Sequence, residues 1–195
     1  MALDPVAPSS SGRASAFNSA NALTLLRLLL VPAFVALLFL SGGEVPSLQL
    51  GAAGVFLVAA ITDRIDGELA RRRGLVTEFG KVADPIADKA LTGAALVSLS
   101  MLGDLAWWMT IAILVRELGI TLLRFLVIRY GVIPASRGGK LKTTLQVVAI
   151  LGYLLPLDFL ATVRMWVMIA AVAVTLATAL DYVVQAVRLR RSSKG

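Results

Sequence analysis

Apolar residues come in six runs along this chain, near 22–40, 48–70, 82–102, 105–128, 141–157 and 163–187. Each run is of membrane-crossing length or slightly less. Ser41-Gly42-Gly43 with Pro46, Gly103-Asp104 and Leu157-Asp158 separate some of them, in the kinds of residue that punctuate helices and open turns. The pattern predicts an all-α fold: one integral membrane bundle of six transmembrane helices over residues 17–188. Residues 1–16, rich in Ala, Ser, Pro and Gly and without periodicity, are expected to form a disordered tail, and residues 189–195 a short basic one. The first apolar run starts too late for an ordinary signal peptide and no convincing cleavage site follows it, so it reads as a permanent first span. Span lengths and motifs differ between the two halves, unlike the internal repeats that mark many transporters.

Composition agrees. The chain has 195 residues, of which 58% are hydrophobic and 16% charged, with a mean hydropathy of +0.84; a soluble domain carries about 25% charged residues. Cysteine and histidine are both absent, which excludes disulfides, thiol catalysis, a histidine base and histidine metal ligands. The net charge of +7 would suit nucleic acid, but its distribution points elsewhere. Arg64, Arg71, Arg72, Arg73 and Lys81 lie between runs two and three. Arg129, Arg137, Lys140 and Lys142 lie between four and five, and Arg188, Arg190, Arg191 and Lys194 follow run six. The opposite turns carry Arg164 alone, with Glu44, Asp104 and Asp158. The positive-inside rule then places both termini in the cytoplasm, where basic clusters also attract anionic lipid. No nucleic-acid partner is expected.

Against this apolar background stand Asp63, Asp66, Asp84 and Asp88, within 26 residues on the cytoplasmic side. Aspartates beside lipid are costly and persist where they pair, line a cavity or hold an ion. Asp63, Asp66 and Ala70 are spaced three and four apart, as are Gly80, Asp84 and Asp88 at intervals of four, so each set shares a helical face. Pro85 fits the first turn of a helix. Two such faces opposed would converge four carboxylates, which need cations to hold them. Hard oxygen donors suit Mg²⁺, Mn²⁺ or Ca²⁺, and two divalent ions would balance four carboxylates. Small Gly67, Ala70 and Gly80 permit close approach of a backbone or ligand, and Arg71 can neutralise a phosphate oxygen. Phosphoryl-type transfer at the membrane surface is the chemistry such a set suits. The plainer alternative is a helix-end cluster paired with Arg64, Arg71 and Lys89, holding no metal.

The string Asp63-x2-Asp66-Gly67-x2-Ala70-Arg71-x8-Gly80-x3-Asp84-x3-Asp88 resembles the complete signature of the CDP-alcohol phosphotransferases, with all eight fixed positions matched. That resemblance implies a six-helix membrane fold, a homodimer, a CDP-linked donor and a divalent-metal site (Mg²⁺ or Mn²⁺, two ions) open to the cytoplasm. It implies that Asp63, Asp66, Asp84 and Asp88 hold the metals, Asp88 also serving as base. Gly67, Ala70, Arg71 and Gly80 would shape the CDP pocket along with Asp63 and Asp66, and Thr62 could also reach the nucleotide.

Other segments bear on the acceptor. Asn18, Asn21, Leu23, Thr24, Arg27 and Pro32, the stretch Asp84-Pro85-Ile86-Ala87-Asp88-Lys89, and Arg116-Glu117 with Arg124 and Gly139-Lys140-Leu141-Lys142-Thr143-Thr144-x-Gln146 resemble the bacterial phosphatidylglycerophosphate synthases within that family. This implies CDP-diacylglycerol as donor, sn-glycerol 3-phosphate as acceptor and a bacterial inner membrane. Independently, Arg116, Arg124, Arg137, Lys140 and Lys142 crowd one side of runs four and five, as an acceptor phosphate would need; snorkelling at helix ends is the plainer reading. Glu117 could pair with a basic neighbour and fix it, and Gln146 suits an interhelical hydrogen bond. Arg27 could face the polar cavity. Trp107, Trp108 and Trp166 read as interface anchors, and Asp181 as the partner of a nearby Arg or Lys. Rival readings are a sister enzyme using inositol phosphate, phosphatidylglycerol or serine, an ion or proton transporter, and an inactive scaffold.

Overall fold

The computed structural model describes the backbone of residues 19–73, 78–127 and 137–192, and side chains at 25–62, 86–87, 89–127 and 138–190. The expected N-terminal tail and residues 193–195 lie outside the described residues. Among those described there is no strand. Six long helices follow one another: α1 (Ser19–Ser41), α2 (Pro46–Arg73), α3 (Glu78–Met101), α4 (Trp107–Val127), α5 (Arg137–Leu154) and α6 (Ala161–Ser192). A 3₁₀ turn, Asp158–Leu160, precedes α6. The all-α expectation holds, and each helix ends within a few residues of its apolar run.

The turns explain why the helices stop where they do. Gly42 and Gly43 have φ of 55° and 78°, and Gly103 has φ of 84°, values that glycine adopts without strain. Ser41 Oγ donates to Leu38 O at 2.6 Å and accepts from Gly43 N–H at 3.3 Å, closing the end of α1. Pro46 then opens α2, where its missing N–H costs nothing. Pro85 departs from expectation: α3 starts at Glu78, so Pro85 falls in the helix interior rather than its first turn. There it withholds an N–H from the carbonyl four residues back, which bends a helix.

Packing closes a ring. α2 packs on α5, α5 on α6, α6 on α4, α4 on α3 and α3 on α2, while α1 lies along α2 and α3. Phe34 of α1 meets Phe56 of α2 with centroids 5.8 Å apart and rings tilted by 49°. Ala52, Ala53 and Ala59 are buried on α2 and let α1 approach closely. The described turns reverse the chain and Lys89, Glu117 and Lys142 meet across α3, α4 and α5, so the C-terminal ends of α2, α4 and α6 share one end of the bundle with the N-terminal ends of α3 and α5.

The outward faces are apolar. Leu29, Leu40, Leu122, Phe125 and Leu180 are all more than 60% exposed, a surface that would be a liability in water. Among the described residues one helical stretch, Asp158–Arg190, is long and apolar enough to cross a membrane by length and composition. The apolar stretches of α1, α2 and α3, at Leu25–Ser41, Pro46–Thr62 and Lys89–Met101, are shorter, and Arg116, Glu117 and Arg124 interrupt α4.

The α5–α6 contact has a checkable weak point. A Cβ on Gly152 would stand 3.3 Å from Arg164 Cβ, whereas one on Gly54 would meet nothing within 4 Å. Gly152→Leu is expected to cost about 1–3 kcal/mol through overpacking, lowering the thermal midpoint in detergent by several degrees. Gly54→Ala is expected to leave the midpoint unchanged or slightly raised.

Candidate active site

The eight signature positions divide between two helices. Asp63, Asp66, Gly67, Ala70 and Arg71 fall in the C-terminal half of α2, and Gly80, Asp84 and Asp88 in the N-terminal half of α3. The side chains of these eight residues, and that of Arg137, lie outside the described residues. The backbone alone puts the two groups on consecutive, mutually packed helices at one end of the bundle. Thr62, half-buried on α2, leads directly into the first group. A donor set drawn from these positions is entirely hard oxygen, in a chain with no histidine or cysteine, which fits Mg²⁺ or Mn²⁺.

Next to this end the ring encloses a polar network built by four helices. At its centre is Glu117 of α4. Its Oε1 accepts from Arg116 Nη1 at 3.1 Å and from Lys142 Nζ of α5, and its Oε2 faces Lys89 Nζ of α3 at 3.7 Å. The Lys142, Arg116 and Glu117 side chains are 9%, 10% and 16% exposed, so these charges are largely out of water. Lys89, at 26%, is the most open of the four. Breaking such a pair by deleting one partner strands the other charge and is strongly destabilising.

Arg116 is fixed from the far side. Its Nε donates to Thr175 O of α6 at 3.2 Å and its Nη2 to Thr178 Oγ1 at 3.0 Å. The Thr178 hydroxyl lies 2.9 Å from Val174 O and 3.0 Å from Thr175 O, so it is held by its own helix. One turn beyond Lys142 on α5, Gln146 Nε2 donates to Thr175 Oγ1 at 3.1 Å, the interhelical bond anticipated for it. The planar guanidinium fork suits three acceptors in different directions, as an ammonium would not.

The basic residues expected around the acceptor have separate settings. Lys142 and Arg116 meet at Glu117. Arg124 instead lies over the Tyr182 ring of α6, 5.8 Å from its centroid. Lys140 is exposed in the first turn of α5. Sequence reasoning missed Lys89 as a member of the basic cluster; its one available signal was its place directly after Asp88. Arg27 is wholly buried on α1. Asp181 pairs with Gln185 Nε2 at 2.8 Å, one helical turn away, rather than with the Arg or Lys expected. Trp107, Trp108 and Trp166 are exposed near the starts of α4 and α6, where anchors would sit.

The fork geometry predicts a specific intolerance. Arg116→Lys keeps the charge but cannot serve Glu117, Thr175 and Thr178 together, so the thermal midpoint in detergent should fall by an amount equivalent to about 1–3 kcal/mol. Thr178→Val, which removes one neutral partner, should cost less, about 1 kcal/mol.

Comparison with known proteins accords with the signature. Residues 17–177 match the CDP-alcohol phosphatidyltransferase family. A probable phosphatidylglycerophosphate synthase of Mycobacterium tuberculosis (strain H37Rv) is 55% identical over 179 residues, covering 91% of this chain and 86% of the relative. A CDP-diacylglycerol–glycerol-3-phosphate 3-phosphatidyltransferase of Bacillus subtilis (strain 168) is 39% identical over 149 residues, 71% of this chain and 77% of its own length. A protein of the same description from Rickettsia typhi is 36% identical over 174 residues, 85% and 94% of the two chains. With the eight-position signature on α2 and α3, a family match over most of the length and relatives aligned over most of theirs, this chain belongs to the CDP-alcohol phosphatidyltransferase family.

Proposed function

We propose that this protein transfers the phosphatidyl group of CDP-diacylglycerol to sn-glycerol 3-phosphate, releasing CMP. The observation that carries this is the intact signature on α2 and α3, beside the Lys89, Arg116 and Lys142 cations that α3, α4 and α5 gather at Glu117. The activities for which the relatives are named support the same donor and acceptor.

In this reading the six helices of residues 17–188 span a bacterial inner membrane, with the α2–α3 end and both termini in the cytoplasm. The apolar outward faces support it. The tail 1–16 lies outside the catalytic domain, the basic stretch expected as a tail from residue 189 begins instead as the last turn of α6, which runs to Ser192, and the working unit is a homodimer. The donor's acyl chains remain in lipid while its nucleotide enters at Gly67, Ala70 and Gly80, where the absence of bulk permits close approach. Thr62 and Arg71 contact the nucleotide diphosphate, Arg71 countering its charge.

Asp63, Asp66, Asp84 and Asp88 would hold two divalent ions, Mg²⁺ or Mn²⁺, which when bound supply Lewis-acid stabilisation of the phosphate oxygens. Asp88 accepts the proton of the acceptor's 1-hydroxyl. That oxygen forms the new bond to the β-phosphorus as the bond to CMP breaks, and CMP departs with the bonding pair. A single in-line displacement requires no covalent enzyme intermediate. Lys142 leads the acceptor-phosphate set, with Arg137 and Lys140 on the same end of α5. Arg116 acts through Glu117, and Arg124 extends the positive field along α4.

CMP release by purified protein in mixed micelles tests this. Glycerol 3-phosphate, inositol phosphate, phosphatidylglycerol and serine are offered separately with CDP-diacylglycerol and Mg²⁺. Turnover is expected with glycerol 3-phosphate alone, abolished by chelation and restored by Mg²⁺ or Mn²⁺. Asp88→Asn is expected to lower kcat about a hundredfold or more. Turnover with another acceptor would keep the family chemistry and overturn the acceptor; CMP release with none of the four would overturn the reaction.

A further inference from the structure

Between the C-terminal ends of α4 and α6 a cavity of about 230 Å³ opens on the outward face of the bundle. Val127 and Ala186, 7% and 3% exposed, form its floor, and the exposed side chains of Leu126, Val183 and Val187 flank it. Among the described residues that line it, Arg190 alone is charged. Arg190 lies three residues beyond Val187 on α6, so the two share a helical face and the charge stands at the outer end of the apolar stretch. The groove is therefore polarised along the helix axis, with hydrocarbon toward the middle of the bundle and a guanidinium at its end. The sequence around it is basic: no Asp or Glu follows Glu117 on α4 or Asp181 on α6, whereas Arg188, Arg190 and Arg191 close α6. Asp181 is itself held by Gln185, one turn along.

We propose that this groove binds one anionic phospholipid of the cytoplasmic leaflet, with part of an acyl chain between α4 and α6 and the headgroup phosphate on Arg190. This rests on the membrane placement in the function above and not on the choice of acceptor. The order of the lining is that of a lipid standing in that leaflet, its tail toward mid-membrane and its phosphate at the surface. The volume is below the roughly 300–1,000 Å³ of sites that enclose a whole small molecule, so the groove takes a length of hydrocarbon and leaves the rest in the bilayer. A soluble anion would meet one cation and an apolar wall; a lipid uses both. A guanidinium can take two phosphate oxygens at once, and a basic residue at the cytoplasmic surface favours anionic over neutral lipid by about fivefold. A lipid seated there braces the ends of α4 and α6, the two helices that Arg116 joins further in.

Native mass spectrometry of the full chain tests this, the protein being released from micelles that hold equal amounts of phosphatidylglycerol and phosphatidylcholine with matched acyl chains. The parent is expected to retain phosphatidylglycerol about fivefold more than phosphatidylcholine. Arg190→Gln is expected to bring that ratio near one. Arg188→Gln, the same charge change on an exposed residue outside the lining, is expected to keep it. Val187→Trp fills the groove from an exposed position and is expected to lower retention of both lipids. Should Val187→Trp fail to fold, Arg190→Gln, also at an exposed position, carries the test. Equal retention of the two lipids by the parent, equal loss in the two arginine variants, or unchanged retention in a folded groove variant overturns the site and leaves the reaction, read by CMP release, standing. A Val187→Trp protein that is monomeric where the parent is a dimer overturns the lipid and gives the groove to a second copy of the chain. A parent that stays soluble and monodisperse without detergent overturns the membrane placement and this site with it.

Discussion

Charge removed from water is the constraint around which this bundle is arranged. A carboxylate such as Glu117 and its neighbouring cations lose several kcal/mol of hydration each when they leave water, and only good geometry recovers it. The ring of α2, α5, α6, α4 and α3 supplies that geometry. Each of the four helices touching the network contributes something the others cannot: α4 the carboxylate and the guanidinium, α5 and α3 the ammonium groups, α6 a backbone carbonyl and a hydroxyl. The helices are thus registered by hydrogen bonds as well as by apolar packing, which between apolar surroundings is the weaker guide to rotation and depth.

The apolar packing does a separate job. α1 lies along α2 and α3 through Phe34, Phe56 and small residues on α2. This contact steadies the two helices that carry the aspartate signature, from the side away from α4 and α6. At the opposite end of the bundle, Ser100 and Thr110 share a 2.7 Å hydrogen bond and Thr110 donates to Leu96 O at 3.2 Å, tying α3 to α4. α3 is therefore held at one end by hydroxyls and nearer the other by Lys89, with Pro85 beyond it.

Much of this was legible in the sequence because it is local. Six apolar runs of similar length mark six helices, and Gly42, Gly43 and Gly103 mark turns through the backbone conformation they allow. The signature was legible for the same reason: its spacings are those of single helical faces. Three things were not legible. Lys89, Glu117 and Lys142 are separated by 28 and 25 residues, and no periodicity within one helix reveals which face of α4 meets which face of α3 and α5. Arg116 and Arg124, eight apart, looked like one face aimed at one phosphate. Instead tertiary contacts give one to Glu117 and α6 and the other to Tyr182. Pro85 was misjudged because helix α3 begins about one turn earlier than its apolar run suggested, in residues that include the charged Glu78 and Lys81.

That last error has a general cause. A helix that lines a polar interior gives up apolar length at its inner end, so its hydrophobic run starts late and its composition weakens as a membrane-crossing segment. α6 keeps a long apolar stretch because it contributes hydroxyls and carbonyls rather than charges near the network. α4 carries Arg116 and Glu117 at mid-helix, and α5 spends its first turns on Arg137, Lys140 and Lys142. In both, Arg116, Glu117 and Lys142 sit where the ring pairs them while outward positions stay apolar, with Leu118 and Leu122 exposed on α4 and Leu141 and Val148 on α5. Apolar length and functional polarity compete for the same residues, and the bundle resolves the competition by face: charge turned inward to partners, hydrocarbon turned out.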